Sequence, residues 1–289
     1  NMANTKTKKD MLDADIIAIG AIKYDTDTGE IEKFKSLIKP ITNLNILARL
    51  NSTVTVDLNF EEDNNNIVPI KMDLKIIYED EALLIIDKPA GIPVHPSILH
   101  YTNSLSNGVK YYFDSINLKK KIRPVNRLDR NTSGIVIFAK NQYIQECLIH
   151  QMQTKEFKKT YLAVVEGHLK KLNGTIDAPI TRKENSIIER CVAENGEKSI
   201  THYKVLKQNF EKNYDIVECL LETGRTHQIR VHLSYIGHPL IGDTLYGNNS
   251  KYISRQALHA YKVEFIHPIT NKLTQFTSDL PKDFVSFII

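Results

Sequence analysis

The sequence predicts an α+β fold, built on a large and mostly antiparallel mixed sheet with flanking helices, plus a small N-terminal region. Three observations support this prediction. Short apolar runs bounded by turn-forming residues recur along most of the chain, which is typical of strands. Only a few well-separated segments have helical spacing, and few helices among many strands indicate an α+β domain. A polar run at residues 61–66 breaks all periodicity and is typical of a linker.

The N-terminal region is predicted to begin with a β-hairpin. Residues 16–19 and 34–38 are apolar, and residues 25–30 between them are rich in the Asp, Thr and Gly typical of turns. Residues 54–58 alternate between apolar and polar, which predicts a half-buried strand. We therefore divide the chain into an accessory region (1–60), a linker (61–72) and one larger domain (73–289).

The larger domain is predicted to be rich in strands. An acidic turn at residues 79–81 joins the first two of them, and residues 87–91 are predicted to form a loop. The predicted strands are 75–78, 82–86, 134–139, 160–165, 201–206, 215–222 and 258–266, and the predicted helices are 142–153 and 227–236.

Composition bounds the class of protein. The chain has 289 residues, of which 42% are hydrophobic and 25% charged, enough apolar content for a core and too little charge for a disordered chain. The net charge of +4 allows a nucleic-acid partner without requiring one. The three cysteines are far apart and indicate neither a disulfide framework nor a zinc site. With no long apolar run and no signal sequence, we expect a cytoplasmic location and no membrane partner.

Asp129 is the first candidate for chemistry. It lies between Arg127 and Arg130, in a loop just before an apolar strand. A carboxylate flanked by guanidinium groups should stay ionised, with a lowered pKa. Such a group can attack a sugar carbon or stabilise an oxocarbenium-like centre. The alternative is a surface cluster of ion pairs.

The segment 221–233 is the second candidate. A strand ends, Thr223 and Gly224 form a turn, and a helix begins. Backbone N–H groups at a helix N-terminus favour anions, so Arg225 there could pair with Asp129 or reach a phosphate. The alternative is a capped helix with a polar first turn.

Two further sequence features, Tyr161 and the loop 87–96, could belong to a functional site. Tyr161 enters an apolar strand, where a tyrosine is a core residue or one that stacks on a flipped base or exchanges a proton. The loop 87–96 contains three prolines, which predict a stiff connection. Its His95 has no visible metal partners, so no metal site is predicted.

These segments resemble the signature motifs of the RluA-like pseudouridine synthases. The family pattern HRLDxxTSG resembles residues 127–134, TGRxHQIRxHL resembles 223–233, KPAGxxVHP resembles 88–96 and GD-x-x-YG resembles 242–247. The matches follow the family's order over most of the larger domain. One position departs from the pattern: Asn126 stands where many members have His, so a contact to the flipped nucleotide is expected to differ.

The resemblance implies an RNA-modifying isomerase that breaks the C1′–N1 bond of a uridine, rotates the uracil and rejoins it through C5. No external cofactor is needed, since the reaction is an isomerisation. By similarity, Asp129 is the catalytic carboxylate, Arg225 holds it ionised through a salt bridge, and Tyr161 stacks on the uracil. The resemblance implies ribosomal or transfer RNA as partner and a monomeric enzyme. The expected RNA-binding residues are His95, Asn126, Arg127, Arg130, Thr132, Lys159, Leu221, His227, Gln228 and Arg230.

Two alternatives remain to be weighed. A catalytically weak RNA-binding protein of the same fold, acting in ribosome assembly, would account for the same motifs. Residues 15–40 resemble a short piece of a DnaQ-like exonuclease, but the paired acids that would bind its metal are missing, so nuclease activity is rejected. Residues 54–58 could be the last strand of an S4-like RNA-binding module, and a divergent or truncated accessory region is the expectation.

Overall fold

The computed structural model describes residues 18–19, 22–24, 31–33, 36–37, 62 and 66–288. The strands are β1 (Ala18–Ile19), β2 (Ile22–Tyr24), β3 (Ile31–Lys33), β4 (Ser36–Leu37), β5 (Ile76–Glu79), β6 (Leu83–Lys88), β7 (Arg123–Pro124), β8 (Ser133–Ala139), β9 (Lys158–Glu166), β10 (Asn173–Asp177), β11 (Ile180–Arg182), β12 (Arg190–Val192), β13 (Ile200–Asn209), β14 (Tyr214–Leu221), β15 (Leu258–Ile266) and β16 (Leu273–Thr277). The helices are α1 (Leu105–Ser115), α2 (Gln142–Gln153), α3 (Gln228–Tyr235) and α4 (Lys282–Ile288).

A ten-stranded sheet organises the chain from β5 onward. Its strand order is β10-β13-β14-β9-β15-β8-β6-β5, with β16 paired to β15 and β7 paired to β8. Among the described pairs of this sheet, only β8 with β15 is parallel. The predicted α+β class with a large, mostly antiparallel sheet is confirmed.

Helices α1 and α2 cover opposite faces of strands β6 and β8. Ile135 and Ile137 of β8 pack with Leu148 of α2, whereas Val136 and Phe138 belong to the cluster that contains α1. Successive side chains of a strand point to opposite faces. Both faces of β8 are therefore buried, which explains its uninterrupted apolar sequence.

The parallel join between β8 and β15 requires a glycine. Gly134 has a φ of +111° and lies opposite Ala260, and a Cβ atom added to it would be 2.2 Å from the Ala260 carbonyl oxygen. Only glycine combines this backbone conformation with so close an approach. The join brings the start of β15 beside the loop that precedes β8.

Most predicted elements of the larger domain are present within a residue or two of their predicted ends. Helix α2 has the predicted bounds, and its start is fixed by Asn141, whose side chain accepts a hydrogen bond from the Ile144 N–H at 2.9 Å. In the N-terminal region, the two apolar runs predicted as hairpin arms pair antiparallel as β1 and β4, and β2 pairs with β3 between them. The predicted strand 54–58 lies outside the described residues. The elements that the sequence did not predict are α1, α4, β7, β10, β11, β12 and β16.

The segment predicted to be a linker touches the larger domain where the structure describes it. Glu62 forms an ion pair with the buried Arg123 at 2.5 Å, and Ile67 is buried in the α1 cluster. The Arg123 guanidinium is thus paired within the protein and is not available to an RNA phosphate. The division at 61–72 into separate units stays a prediction. No helix among the described residues is long and apolar enough to cross a membrane.

Candidate active site

A cleft of about 1050 Å³ opens where four parts of the chain meet. Its walls are formed by the loop before β8, the start of β9, the turn from β14 into α3, and the loop 93–97. A volume of this size accommodates a nucleotide-sized ligand. Of the predicted site residues, the cleft is lined by His95, Asn126, Arg127, Asp129, Thr132, Lys159, Tyr161, Leu221, Arg225, His227, Gln228 and Arg230.

Asp129 is held by Arg230. The Arg230 Nη1 donates to Asp129 Oδ2 at 3.2 Å, while its Nε and Nη2 donate to the two carboxylate oxygens of Asp243 at 2.7 and 2.8 Å. The Asp243 side chain is only 1% exposed. A planar guanidinium is suited to this double role, because its donors form a rigid fork. The Asp243 pair thus fixes the direction in which Arg230 reaches Asp129.

The predicted ion pair between Arg225 and Asp129 is wrong. Arg225 instead pairs with Glu197, and its Nε donates to the Lys198 carbonyl at 3.3 Å. The two arginines are separated by His227, which lies between the turn and α3 and has a left-handed backbone with φ of +59°. Arg225 stays on the turn beside Glu197, whereas Arg230 lies within α3 and faces Asp129.

His227 faces the second oxygen of Asp129. Its Nε2 lies 3.8 Å from Asp129 Oδ1, and its Nδ1 lies 2.8 Å from the Tyr246 hydroxyl. That hydroxyl accepts a hydrogen bond from the Arg190 backbone N–H at 2.8 Å, so its own hydrogen is free to be donated to Nδ1. Burial lowers the pKa of His227 and favours the neutral ring. The ring hydrogen is then on Nε2, directed at Asp129.

Tyr161 lines the cleft from β9. It is buried, and burial together with the nearby Asp129 carboxylate raises the pKa of its phenol. The ring therefore stays neutral at ordinary pH. In the sheet it lies between Cys219 of β14 and Ala260 of β15, so neighbouring strands fix its position on both sides.

Three cations of the cleft, Arg127, Lys159 and Lys198, make no ion pair with any residue that the structure describes. Burial lowers the pKa of Lys159. Two neighbouring lysines are already paired, Lys155 with Glu222 and Lys158 with Glu264 at 2.7 Å. Arg127, Lys159 and Lys198 are therefore the cations of the cleft that are available to an anionic ligand.

Three predicted RNA-binding residues have structural partners instead. Asn126 bonds to β8 on both sides: its amide donates to the Ile135 carbonyl, and its oxygen accepts from the Ile137 N–H, each at 2.9 Å. The buried Gln228 accepts from the Arg225 N–H at 3.0 Å and orders the turn. Arg130 does not line the cleft; its Nε donates to the Gly91 carbonyl at 2.9 Å. These bonds occupy the side-chain amides of Asn126 and Gln228, whereas the exposed Arg130 uses only its Nε. Contact of these residues with RNA stays a prediction.

The remaining predicted residues lie at the edges of the cleft. His95 is largely exposed, with its Nδ1 at 3.4 Å from the Ser106 hydroxyl; partial burial of its ring and the nearby Arg127 cation lower its pKa. Thr132 is buried and accepts a hydrogen bond from Gln256 at 3.2 Å. Leu221 is the last residue of β14 and contributes apolar surface.

The sequence analysis missed Asp243, Tyr246 and Lys88. The first two belong to the GD-x-x-YG segment, which was matched without a role for either side chain. Lys88 is fully buried, and its Nζ donates to the carbonyls of Pro89, Ile92 and Arg130 at 2.8, 2.8 and 3.0 Å. It thereby ties the loop after β6 to the loop that carries Asp129. A lysine in a loop motif gives no sign of this burial.

Known proteins are similar to this chain over the same region. A family model described as RNA pseudouridylate synthase matches residues 82–235. The chain is 42% identical over 239 residues to the uncharacterized RNA pseudouridine synthase YhcT of Bacillus subtilis, covering 83% of this chain and 79% of that protein. It is 37% identical over 244 residues to the ribosomal large subunit pseudouridine synthase D of Zymomonas mobilis, covering 79% and 76%.

A solved structure is similar as well. The human RNA pseudouridylate synthase domain containing 1 matches with a TM-score of 0.60 and 27% identity, covering 72% of this chain and 84% of that one. The resemblance drawn from the sequence motifs is confirmed. The chain belongs to the RNA pseudouridylate synthase family, whose members are isomerases acting on RNA.

Proposed function

We propose that this protein converts specific uridines of ribosomal RNA to pseudouridine, with Asp129 as the catalytic carboxylate. One observation carries the proposal: Asp129 lies in a nucleotide-sized cleft, held by Arg230 and His227, beside the neutral ring of Tyr161. A carboxylate held in this way can act on the ribose of a base that has been extruded into the cleft.

Each group has a distinct part in the proposed reaction. Asp129 acts on the ribose in one of two ways: it attacks C1′ and forms a bond to that carbon as the C1′–N1 bond breaks, or it removes the 2′ proton as uracil leaves from C1′. The freed uracil rotates against the Tyr161 ring and C5 bonds to C1′; in the first way the Asp129–C1′ bond then breaks, and in the second Asp129 returns the proton to C2′. C5 loses its proton to solvent and N1 takes up a proton from solvent, so the carboxylate is regenerated. Arg230 donates to one Asp129 oxygen and His227 faces the other at 3.8 Å, and together they keep the carboxylate oriented throughout. Arg127 and Lys159 bind backbone phosphates and position the RNA.

Ribosomal rather than transfer RNA is the proposed substrate, because relatives such as the Zymomonas mobilis enzyme are named for the large ribosomal subunit. We also propose that the enzyme is a cytoplasmic monomer, since one chain supplies a complete cleft with Asp129, Arg230 and Tyr161 and its substrate would be an RNA. Residues 73–289 would hold the activity, with residues 1–60 as an accessory region.

The test uses unmodified transcripts of bacterial large-subunit ribosomal RNA and of transfer RNAs, incubated with wild type and with Asp129→Asn. Pseudouridines are mapped by carbodiimide labelling and primer extension. We expect new pseudouridine at one or a few ribosomal uridines with wild type and none with Asp129→Asn. Product in transfer RNA alone would overturn the substrate class. Binding without product in either RNA would favour the catalytically weak RNA-binding protein.

A further inference from the structure

A tight turn at the rim of the cleft carries two almost fully exposed aliphatic side chains. Ile98 is 99% exposed and Leu99 is 87% exposed. They are the central residues of a turn closed by the His100 N–H, which donates to the Ser97 carbonyl at 2.9 Å. Such positions are usually taken by Gly, Pro, Asn, Asp or Ser. Neither turn chemistry nor core packing explains the choice of Ile and Leu.

The turn is anchored on both sides. Before it, the Ser106 hydroxyl of α1 donates to the Val94 carbonyl at 2.7 Å. After it, the buried Asn107 of the same helix donates to the Tyr101 carbonyl at 3.1 Å. Helix α1 therefore presents the two aliphatic side chains on a fixed support.

The turn continues directly from a wall of the cleft. Residues 93–97 line the cleft, and Ile98 follows them at once. The unpaired Arg127 lies in the same cleft and is close enough to His95 to help lower the pKa of that imidazole. An RNA strand whose uridine enters the cleft would meet cationic groups inside it and apolar groups at its rim.

We propose that the 97–100 turn is a wedge, which inserts Ile98 and Leu99 into the base stack next to the extruded uridine. This inference rests on the proposed function. Extruding a base leaves a gap in the stack, and apolar side chains inserted at base steps are a general way of opening such a step. The charge around the cleft favours a nucleic acid over an apolar protein surface as the occupant of this rim.

The test compares two synthetic RNAs that carry the uridine mapped in ribosomal RNA. In one RNA the uridine is stacked between its normal neighbours. In the other, abasic residues replace both neighbours, so there is no stack to open. The variant is Ile98→Ser/Leu99→Ser. The matched control, Ile269→Ser/Leu273→Ser, also removes two exposed aliphatic side chains. They lie in the turn after β15 and at the first residue of β16, at the far end of β15 from Leu258, which lines the cleft.

For the wedge variant we expect kcat/KM to fall about tenfold or more on the stacked RNA and less than about threefold on the abasic one. The control variant should match wild type on both. Equal losses on the two RNAs, or no loss on either, would overturn the wedge while leaving the proposed function intact; the second result is what a protein-docking patch would give. Absence of product with wild type would overturn the proposed function itself.

Discussion

At the scale of single residues, the choice of cation beside Asp129 follows from what each arginine already contacts. Arg230 is held by the buried Asp243 and keeps one Nη donor for Asp129. Arg225 is partly exposed and pairs with Glu197, a side chain that is 70% exposed. An exposed pair contributes about 0–1 kcal/mol, whereas breaking a buried pair costs about 3–5 kcal/mol.

The two arginines should therefore respond differently to substitution. Arg230→Gln is expected to lower kcat by about 100-fold or more, because the carboxylate loses its fixed partner, and to lower the free energy of unfolding by about 3–5 kcal/mol. Arg225→Gln is expected to change kcat by less than about threefold. Steady-state kinetics and urea unfolding measure both effects. A larger loss of kcat in Arg225→Gln would contradict this assignment.

The sequence predicted the residues of this site better than their roles. Asp129 and Tyr161 could be identified, because a carboxylate between two arginines and a tyrosine in an apolar strand are patterns of neighbouring residues in the sequence. Arg225 and Arg230 are both near the start of α3, and the sequence alone does not distinguish which of them faces Asp129. The partners of Asn126 lie on β8, and those of Gln228 include the Ile200 carbonyl on β13, contacts that no motif spacing indicates.

At the scale of elements, Tyr246 joins the β11–β12 hairpin to helix α3. Its hydroxyl contacts the Arg190 backbone of β12 and His227 at the helix start, and its ring lies 5.0 Å from the Arg230 guanidinium carbon. Arg230 and His227, which both lie beside Asp129, thus share Tyr246 as a neighbour. A displacement of the β11–β12 hairpin would therefore move Tyr246 and change the positions of both groups relative to the carboxylate.

Tyr246→Phe tests this link, since it removes the hydroxyl and keeps the ring over Arg230. A donor to His227 Nδ1 stabilises the neutral imidazole, so its loss should raise the pKa of His227. We expect kcat to fall about tenfold with KM little changed. NMR titration of the histidine ring signals measures the pKa, with Tyr252→Phe, outside this network, as the control. An unchanged or lower pKa of His227 would contradict the tautomer assigned to it.

The helices and strands that could be predicted are those whose apolar residues recur with one clear spacing, helical or strand-like. Helix α2 could be found because its apolar spacing follows a visible Asn cap. Helix α1 could not, because its buried first turn is Leu-Ser-Asn-Gly, a composition typical of loops. Its Gly108 is selected by packing, since an added Cβ would be 2.9 Å from the Met72 Cβ. Tertiary contact, which a sequence pattern does not contain, decides this element.

At the scale of the whole molecule, the two halves of the sheet meet at the parallel pair β8–β15, where His259 is fully buried. Its Nδ1 lies 3.0 Å from the Ser133 hydroxyl, and its Nε2 has no hydrogen-bond partner among the described residues. Burial lowers the pKa of His259 to about 4. The fold class could be predicted from the number of strands, but this parallel join could not, because it links residues far apart in the chain.

The buried imidazole makes the stability of the protein depend on pH. The unfolded chain takes up the proton near the ordinary pKa of 6.5 and the folded protein only near 4, so stability falls as pH drops through this window. From pH 7 to pH 5, His259 alone should reduce the free energy of unfolding by about 2 kcal/mol. Urea unfolding of wild type and His259→Gln at pH 7 and pH 5 measures this decrease. The same decrease in both proteins would contradict the contribution assigned to His259.

The most direct test of the account is tritium release from ribosomal RNA labelled with [5-³H]uridine, because joining C5 to the sugar expels the hydrogen at that carbon. Asp129→Asn leaves the Arg230–Asp243 pair in place, so the variant should fold and bind RNA within about threefold of wild type. We predict that wild type releases one tritium for each uridine modified and that Asp129→Asn releases none. Release by Asp129→Asn at the wild-type rate would contradict the central claim that this carboxylate performs the reaction.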